Sequence, residues 1–426
     1  MHDMNRMSVE DAIGFAAAHI SRGELALADF ICRDVLAIAP GHAVALNLIG
    51  VIAAQLGLYD DAVAHFERAL AGNPPFLPAK DNLRKIRNAQ ARAPRSQVSP
   101  GQRFLLIKAW GYGFWSDVSH ALACLLLAEI TQRIPVTHWG RNSLFSDGSG
   151  QDAFRLYFEP VSSFTRDMMV AGGANFFPAK WSAANLHTDD NAKWQGGGSR
   201  MGGLHFLNRS ETVAVSDFYI GAVDLLPWIP PTHKLHGRSL DEVYDYLAAT
   251  YLRPTEFILL QVEELYQRHI GGKPTIAVHV RGSDKRLETA NLDQLTKLYF
   301  DAIEREDPTW KILLLTDDRR CAVVFQERYA ERIILTDSMR TDSDLGVHYT
   351  PSLDRVRLGT EVMRDTYLAL RCAKFIGNGR SNVSAMVAML KRWDYGTCVL
   401  LAPSRLRERY RPPINVITRE AKPQAG

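Results

Sequence analysis

Arg281, Asp284 and Lys285 stand in the run His279-Val-Arg-Gly-Ser-Asp-Lys285, on the heels of the apolar stretch Thr275 to Val280. A short apolar run of this kind reads as a strand buried on both faces of a parallel sheet, and ligands of such sheets collect at the carboxyl ends of the strands. An Arg placed there can fork two hydrogen bonds onto a phosphate, and a neighbouring Lys adds a point charge. A plain surface loop closed by an Asp284–Lys285 ion pair satisfies the same residues. A second anion site is offered where Asn378-Gly-Arg380 turns the strand Lys374 to Gly377 into a helix starting near Ser381. The unpaired N–H groups and dipole of a helix start attract anions, and the Ser381 hydroxyl and Asn382 amide add donors; a helix cap without ligand explains Ser381 as well. Asp365 is the third such residue, because Leu358, Val362, Leu368, Ala369 and Cys372 share its helix face and are all apolar. A carboxylate on an apolar face needs donors. Guanine supplies two in parallel, its ring N–H and exocyclic amine, while Arg364, Arg371 or another internal cation would serve instead.

The elements that must position these residues form a regular series. Strands at 275–280, 310–316, 333–335, 374–377 and 398–401 alternate with helices near 292–306, 319–330, 356–372 and 381–391, a grammar that gives a parallel sheet covered on both faces. Upstream, Phe104 to Ile107 reads as a strand and Ser116 to Arg133 as a long helix, after which the pattern blurs beyond Val136. The predicted organisation is an all-α repeat module at 1–92, one Rossmann-like half at 102–250, and a second at 251–405. The repeat is read from Gly23 and Gly57, Ala28 and Ala62, and Pro40 and Pro74, each 34 positions apart as in tetratricopeptide (TPR) repeats. It predicts helix pairs at about 8–40 and 42–74 and a capping helix near 76–91, with terminal apolar faces to be covered by the rest of the chain or by a second copy. The segment 93–101 reads as a linker, and the tail as poorly structured beyond Pro413.

The three chemical segments resemble, in order and over about 110 residues, the GDP-fucose-dependent fucosyltransferases. That group contains the N-glycan core α-1,6-fucosyltransferase and the rhizobial Nod-factor fucosyltransferase. The run at 279–285 is similar to the family's His-Val-Arg-x-[Thr/Ser]-Asp-Lys motif, and Leu315-Thr-Asp-Asp318 to its second block. The third block is matched by Gly359 to Leu390 through Arg364-Asp365 and Gly379-Arg-Ser-Asn-Val383. Fainter matches lie in Gly111-Tyr-Gly-Phe-Trp115, in Phe154-Arg155 and in Glu159-Pro-Val-Ser162. The resemblance spans about residues 102 to 400 and leaves the first 95 outside it.

The resemblance implies an α/β fold with a GT-B-like pair of Rossmann-type domains behind the TPR-like module, the half at 102–250 on the acceptor side and the half at 251–405 holding the donor. It also implies inverting, metal-independent transfer of fucose or a related sugar from a GDP-sugar to a hydroxyl of a glycan or protein. Asp365 would then read the base with His279 beside it, and Arg281, Asp284, Lys285, Ser381 and Asn382 would complete the donor site. Arg281 suits stabilisation of the leaving diphosphate, and Glu288, carried over with a shift of one residue, is the candidate base. Gly282 stands where the N-glycan enzyme has a second Arg. Adjacent acids after a strand, Asp317 and Asp318, fit a helix cap better than a metal site. No cofactor is expected. The alternatives are a transferase of another nucleotide-sugar and a non-catalytic TPR adaptor with a degenerate transferase half.

Composition excludes other classes. With 50 Lys and Arg against 47 Asp and Glu the net charge is only +3, so a nonspecific nucleic-acid partner is not expected. The start of the chain lacks the apolar core of a signal peptide, and the most apolar helix candidate, Ala121 to Ile130, falls far short of a membrane span. Five scattered cysteines, Cys32, Cys124, Cys321, Cys372 and Cys398, fit buried thiols in a reducing compartment, and a cytoplasmic location is the expectation. Either a protein partner or a homodimer would use the repeat.

Overall fold

The computed structural model describes residues 6–55, 59–72, 74–92, 101–170, 174–188, 202–282, 292–343, 346–349, 354–408 and 416–418. A short strand β1 (Arg6–Ser8) leads into five helices, α1 (Val9–Ser21), α2 (Leu25–Ile38), α3 (Ala43–Gln55), α4 (Tyr59–Leu70) and α5 (Leu77–Arg92). Ser8 caps α1 by accepting from the Asp11 amide at 3.1 Å. Gly23 turns the chain with a φ of +74°, a value that side chains disfavour. Small residues let the helices approach: Ala28 and Ala62 are fully buried, and a Cβ on Gly50 would lie 2.5 Å from the Phe66 ring. Gly57 falls in 56–58, outside the described residues. The helical module is not free-standing, because Leu204, Leu207 and Trp228 of the following half belong to its apolar cluster. Arg33 reaches over the Trp228 ring at 5.2 Å while holding the buried Asp29 at 2.9 Å.

The next half comprises β2 (Phe104–Lys108), α6 (Phe114–Ile130), β3 (Ile134–His138), β4 (Phe176–Phe177), β5 (Val213–Ser216), α7 (Ala222–Leu225) and α8 (Leu240–Tyr251). Its sheet has the order β3-β2-β5-β4 with every neighbouring pair parallel. Helix α6 starts two residues earlier than its pattern predicts, and all of Phe114 to Ala128 except Ser116 is buried. A helix apolar on nearly every side belongs in a core. Where the sequence pattern blurs, the chain makes short 3-10 turns and strands too short to show a period. The box that starts α8 is plain: Ser239 accepts from the Glu242 amide and Glu242 reaches back to the Ser239 amide.

The last half runs through α9 (Glu256–Leu265), β6 (Thr275–His279), α10 (Leu292–Ile303), β7 (Lys311–Leu315), α11 (Arg319–Tyr329), β8 (Ile333–Ile334), α12 (Arg355–Leu370), β9 (Lys374–Gly377), α13 (Asn382–Met389) and β10 (Cys398–Leu400). Five parallel strands in the order β10-β9-β6-β7-β8 give the doubly wound arrangement in which the first two units wind one way from the centre and the last two the other. Residues of α10 and α11 pack on one face of this sheet and residues of α12 and α13 on the opposite one. The two sheets share a core: Trp115, Leu122, Tyr157 and Leu247 join Leu358, Met363, Ala385 and Leu406 in a single apolar cluster. Among the described residues no helix is long and apolar enough to cross a membrane.

The tail departs from expectation. Strand β11 (Val416–Thr418) pairs in parallel with β1, Arg6 opposite Val416 and Ser8 opposite Thr418. A β-branched Val-Ile-Thr triplet is suited to extended backbone, and β1 offers it an edge.

Gly359 is the tightest point between the halves, because a Cβ there would overlap the Tyr157 hydroxyl, which donates to the Phe145 carbonyl at 2.6 Å. Gly359→Ala should therefore cost about 1–3 kcal/mol of stability, as overpacking does. Gly14→Ala, in α1 with open space around it, should be neutral or slightly stabilising. Urea unfolding of both variants checks the pair; equal effects would remove Gly359 as the close-approach residue.

Candidate functional site between the two sheets

Strands β6 and β9 lie side by side at the centre of the second sheet, with His279 opposite Gly377. Their chains leave for opposite faces, which opens a crevice beyond their carboxyl ends. A cleft of about 910 Å³, its open mouth included, occupies this place. His279, Arg281, Asp317, Asp365 and Asn382 line it from the second half, and Gly113, Phe114, Trp115 and Phe145 from the first.

His279 is the structural end of the site. Its Nδ1 lies 2.7 Å from Ser384 Oγ on α13, and its carbonyl accepts from the Tyr299 hydroxyl at 2.9 Å. Burial pushes its pKa down to about 4, against the opposing pull of Asp317. The ring is thus neutral at physiological pH and ties β6 to α13. Two residues on, Arg281 lines the cleft. The Gly282 amide donates to Asp317 Oδ1 at 3.2 Å, and a Cβ on Gly282 would come within 2.5 Å of the Asp318 Cβ. A second Arg at that position is incompatible with this loop. Asp318 caps α11 by accepting from the amides of Arg320, at 2.8 Å, and Cys321, at 3.4 Å. The paired acids are therefore engaged by backbone donors, as a cap requires.

Asp365 sits in the cleft wall with 14 % of its side chain exposed. Its Oδ2 accepts from Ser338 Oγ at 2.7 Å and from Thr336 Oγ1 at 3.1 Å. Its Oδ1 meets Arg364 Nε at a long 3.4 Å. Burial raises its pKa, partly offset by Arg364 and the two hydroxyls. Of the internal cations weighed from sequence, Arg364 is the one beside it, while Arg371 turns away to Glu263 at 2.7 Å. One carboxylate oxygen is thus filled, and the other keeps capacity for donors arriving from the cleft.

The start of α13 faces its donors outward, as an anion requires. Ser381 is the N-cap residue, yet its hydroxyl makes no cap bond; it is buried and has no hydrogen-bond partner among the described residues. A buried hydroxyl left unpaired costs about 1–3 kcal/mol. Arg380 turns outward to the Glu408 carboxylate at 2.5 and 2.6 Å. Gly379 is fixed by crowding, since a Cβ there would overlap the Ala402 carbonyl. Asp284, Lys285 and Glu288 lie outside the described residues, as does most of the glycine-rich run at 194–203. His233 bonds Glu129 at 3.1 Å, and His236 bonds the Ile229 carbonyl at 2.7 Å.

Sequence reasoning placed Phe114 and Trp115 in the Gly/aromatic run of a faint family match but assigned them no role in the cleft that they line. It also missed Glu361, which lines the cleft and accepts from the Met339 amide and from Arg357 Nε, both at 2.8 Å. Glu361 thereby pins the Ser338–Met339 turn to α12, and no period in the sequence signals it.

No protein-family model matches the chain, and no curated protein matches it. Among solved structures it is similar to the NodZ alpha-1,6-fucosyltransferase soaked with GDP-fucose, at a TM-score of 0.45 and 19 % identity, covering 68 % of this chain and 92 % of that one. A mutant of Arabidopsis thaliana FUT1 in complex with GDP matches at 0.40 and 13 % identity, covering 76 % and 80 %. POFUT1 in complex with GDP matches at 0.40 and 13 % identity, covering 70 % and 98 %.

The neutral state of His279 carries a pH signature. Its folded pKa of about 4 lies below the ordinary value of 6.5, so the unfolded chain binds the proton first and stability falls as pH drops from about 6.5 toward 4. His279→Gln should flatten that part of the melting-temperature profile relative to the parent protein. Parallel profiles would mean that His279 titrates normally.

Proposed function

We propose that this protein is an inverting, metal-independent glycosyltransferase that moves fucose or a related sugar from a GDP-sugar to a hydroxyl on a glycan or protein. The observation that carries the reading is the polarity of one cleft. The cleft is lined by Asp365, whose Oδ1 is still able to accept, and by Arg281 and Asn382 at the α13 start, where Asn382 follows a Ser381 hydroxyl unpaired among the described residues; the second set can meet an anion. A guanine base with a diphosphate has that distribution of donors and charge. The resemblance of the three sequence blocks supports the same donor.

Guanine would give its ring N–H and amine to Asp365 Oδ1, displacing the long Arg364 contact. His279, uncharged, holds β6 and α13 at a fixed separation and so sets the distance from base to phosphates. As the bond from the sugar's anomeric carbon to the diphosphate oxygen breaks, negative charge grows on that oxygen, where Arg281 and the α13 amides can stabilise it. The acceptor hydroxyl forms the new bond on the opposite face of the sugar, which inverts the anomeric carbon. Its proton passes to a base, for which Glu288 is the proposed residue. The helical module, docked on the first half, would position the acceptor or a partner protein.

GDP should raise the melting temperature well above the shifts given by UDP and CDP, in proportion to differential affinity, and Asp365→Asn should level the three. Equal shifts in the parent protein would sink the donor assignment. Arg281→Lys keeps the charge but loses the fork, and turnover of GDP-fucose should fall by about 10² to 10³ with little change in melting temperature. A folded Lys variant with near-normal turnover would take Arg281 off the catalytic list.

A further inference from the structure

An aromatic cluster outside the donor cleft has no part in the reading above. Strands β2 and β5 are parallel neighbours, with Ile107 opposite Ser216, so the segments that follow them leave the same edge of the first sheet. They carry Trp110 and Tyr112 on one side and Phe218 and Tyr219 on the other. The Trp110 ring lies 4.8 Å from Tyr112, 5.0 Å from Phe218 and 6.0 Å from Tyr219. Tyr112 is exposed to 38 %, and the other three are half-buried. Asp217, directly before Phe218, forms a largely buried ion pair with Lys180 at 2.6 Å, so charged groups adjoin the rings along the chain.

Two connections place this cluster beside the donor cleft. Gly113 and Phe114, directly after Tyr112, line the cleft. On the far side, Arg405 is near enough to Tyr219 to oppose the burial that raises its hydroxyl's pKa. Arg405 in turn donates its amide to the Gly379 carbonyl at 2.9 Å, in the turn that leads to α13. The rings therefore adjoin the cleft through Gly113 and Phe114.

We propose that Trp110, Tyr112 and Phe218 form a stacking platform for the acceptor, and that the acceptor is a saccharide. A pyranose presents a C–H face that packs on aromatic rings and a rim of hydroxyls that needs polar partners. Half-buried rings next to an ion pair offer both. A protein acceptor would call for a broader apolar or charged surface than three rings supply. The inference rests on the proposed sugar transfer, because that reading says what must lie next to the cleft.

The test uses the full-length protein with GDP on an array of immobilised oligosaccharides, alongside thermal shift with GDP. The parent protein should bind a defined subset of saccharides. Tyr112→Ala should weaken that binding by about tenfold, the cost of losing one ring contact, while Tyr112→Phe retains it and both variants keep the GDP shift. Phe218→Ala provides a second removal from the opposite strand. Binding to no saccharide, as for a protein acceptor, would overturn the platform, as would binding by Tyr112→Ala equal to that of the parent. Ring-dependent saccharide binding without any GDP shift would instead leave the platform standing and remove the donor reading.

Discussion

Trp115 donates its indole N–H to Thr366 Oγ1 at 2.9 Å, a buried bond between α6 of one half and α12 of the other. The remainder of the cleft depends on it. The two sheets contact through a common apolar core, and dispersion and burial alone would tolerate small slides of one half over the other. A hydrogen bond in a dry interior fixes the register of that contact, since breaking it would strand a buried donor. Thr366 follows Asp365 directly, and Trp115 lines the same cleft. The bond that aligns the halves therefore also sets where the Asp365 carboxylate stands relative to the first half.

The second half was legible from sequence because its strands are uninterrupted apolar runs and its helices have clear starts. The strand expected at 310–316 spans Lys311–Leu315, and the helix expected at 356–372 spans Arg355–Leu370. Of the first half only the strand at 104–107 and the long helix after it were legible, since β4 has two residues and β5 four, too few for a period to appear. Within the site, Arg281 and Asp365 were visible as charges against apolar backgrounds. The partners of Asp365 were not, because Thr336 and Ser338 precede it by 29 and 27 positions. No local pattern encodes a contact made only when the β8–α12 connection folds back.

The site also divides its polar groups by how fully they are satisfied. Asp317, Asp318 and Glu361 accept from backbone amides and hold loops in place. Among the described residues Ser381 Oγ has no partner and Asp365 Oδ1 only a distant one. Folded proteins leave few buried polar groups unmet, and those they do leave mark places where something else supplies the bond. Asp365 lines the cleft, and Ser381 directly precedes the lining residue Asn382, so both stand apart from the groups that serve as framework.

The pairing of β1 with β11 brings the opening and closing segments of the chain together. The helical module is thereby moored twice, through Leu204 and Trp228 on one side and through the tail strand on the other. Its covalent connection between Arg92 and Gly101 is a third link, and the least needed. A protease that severed it would leave two fragments that still travel as one particle, with the cleft undisturbed, because the fold makes the molecule a ring in space although its polypeptide is a line.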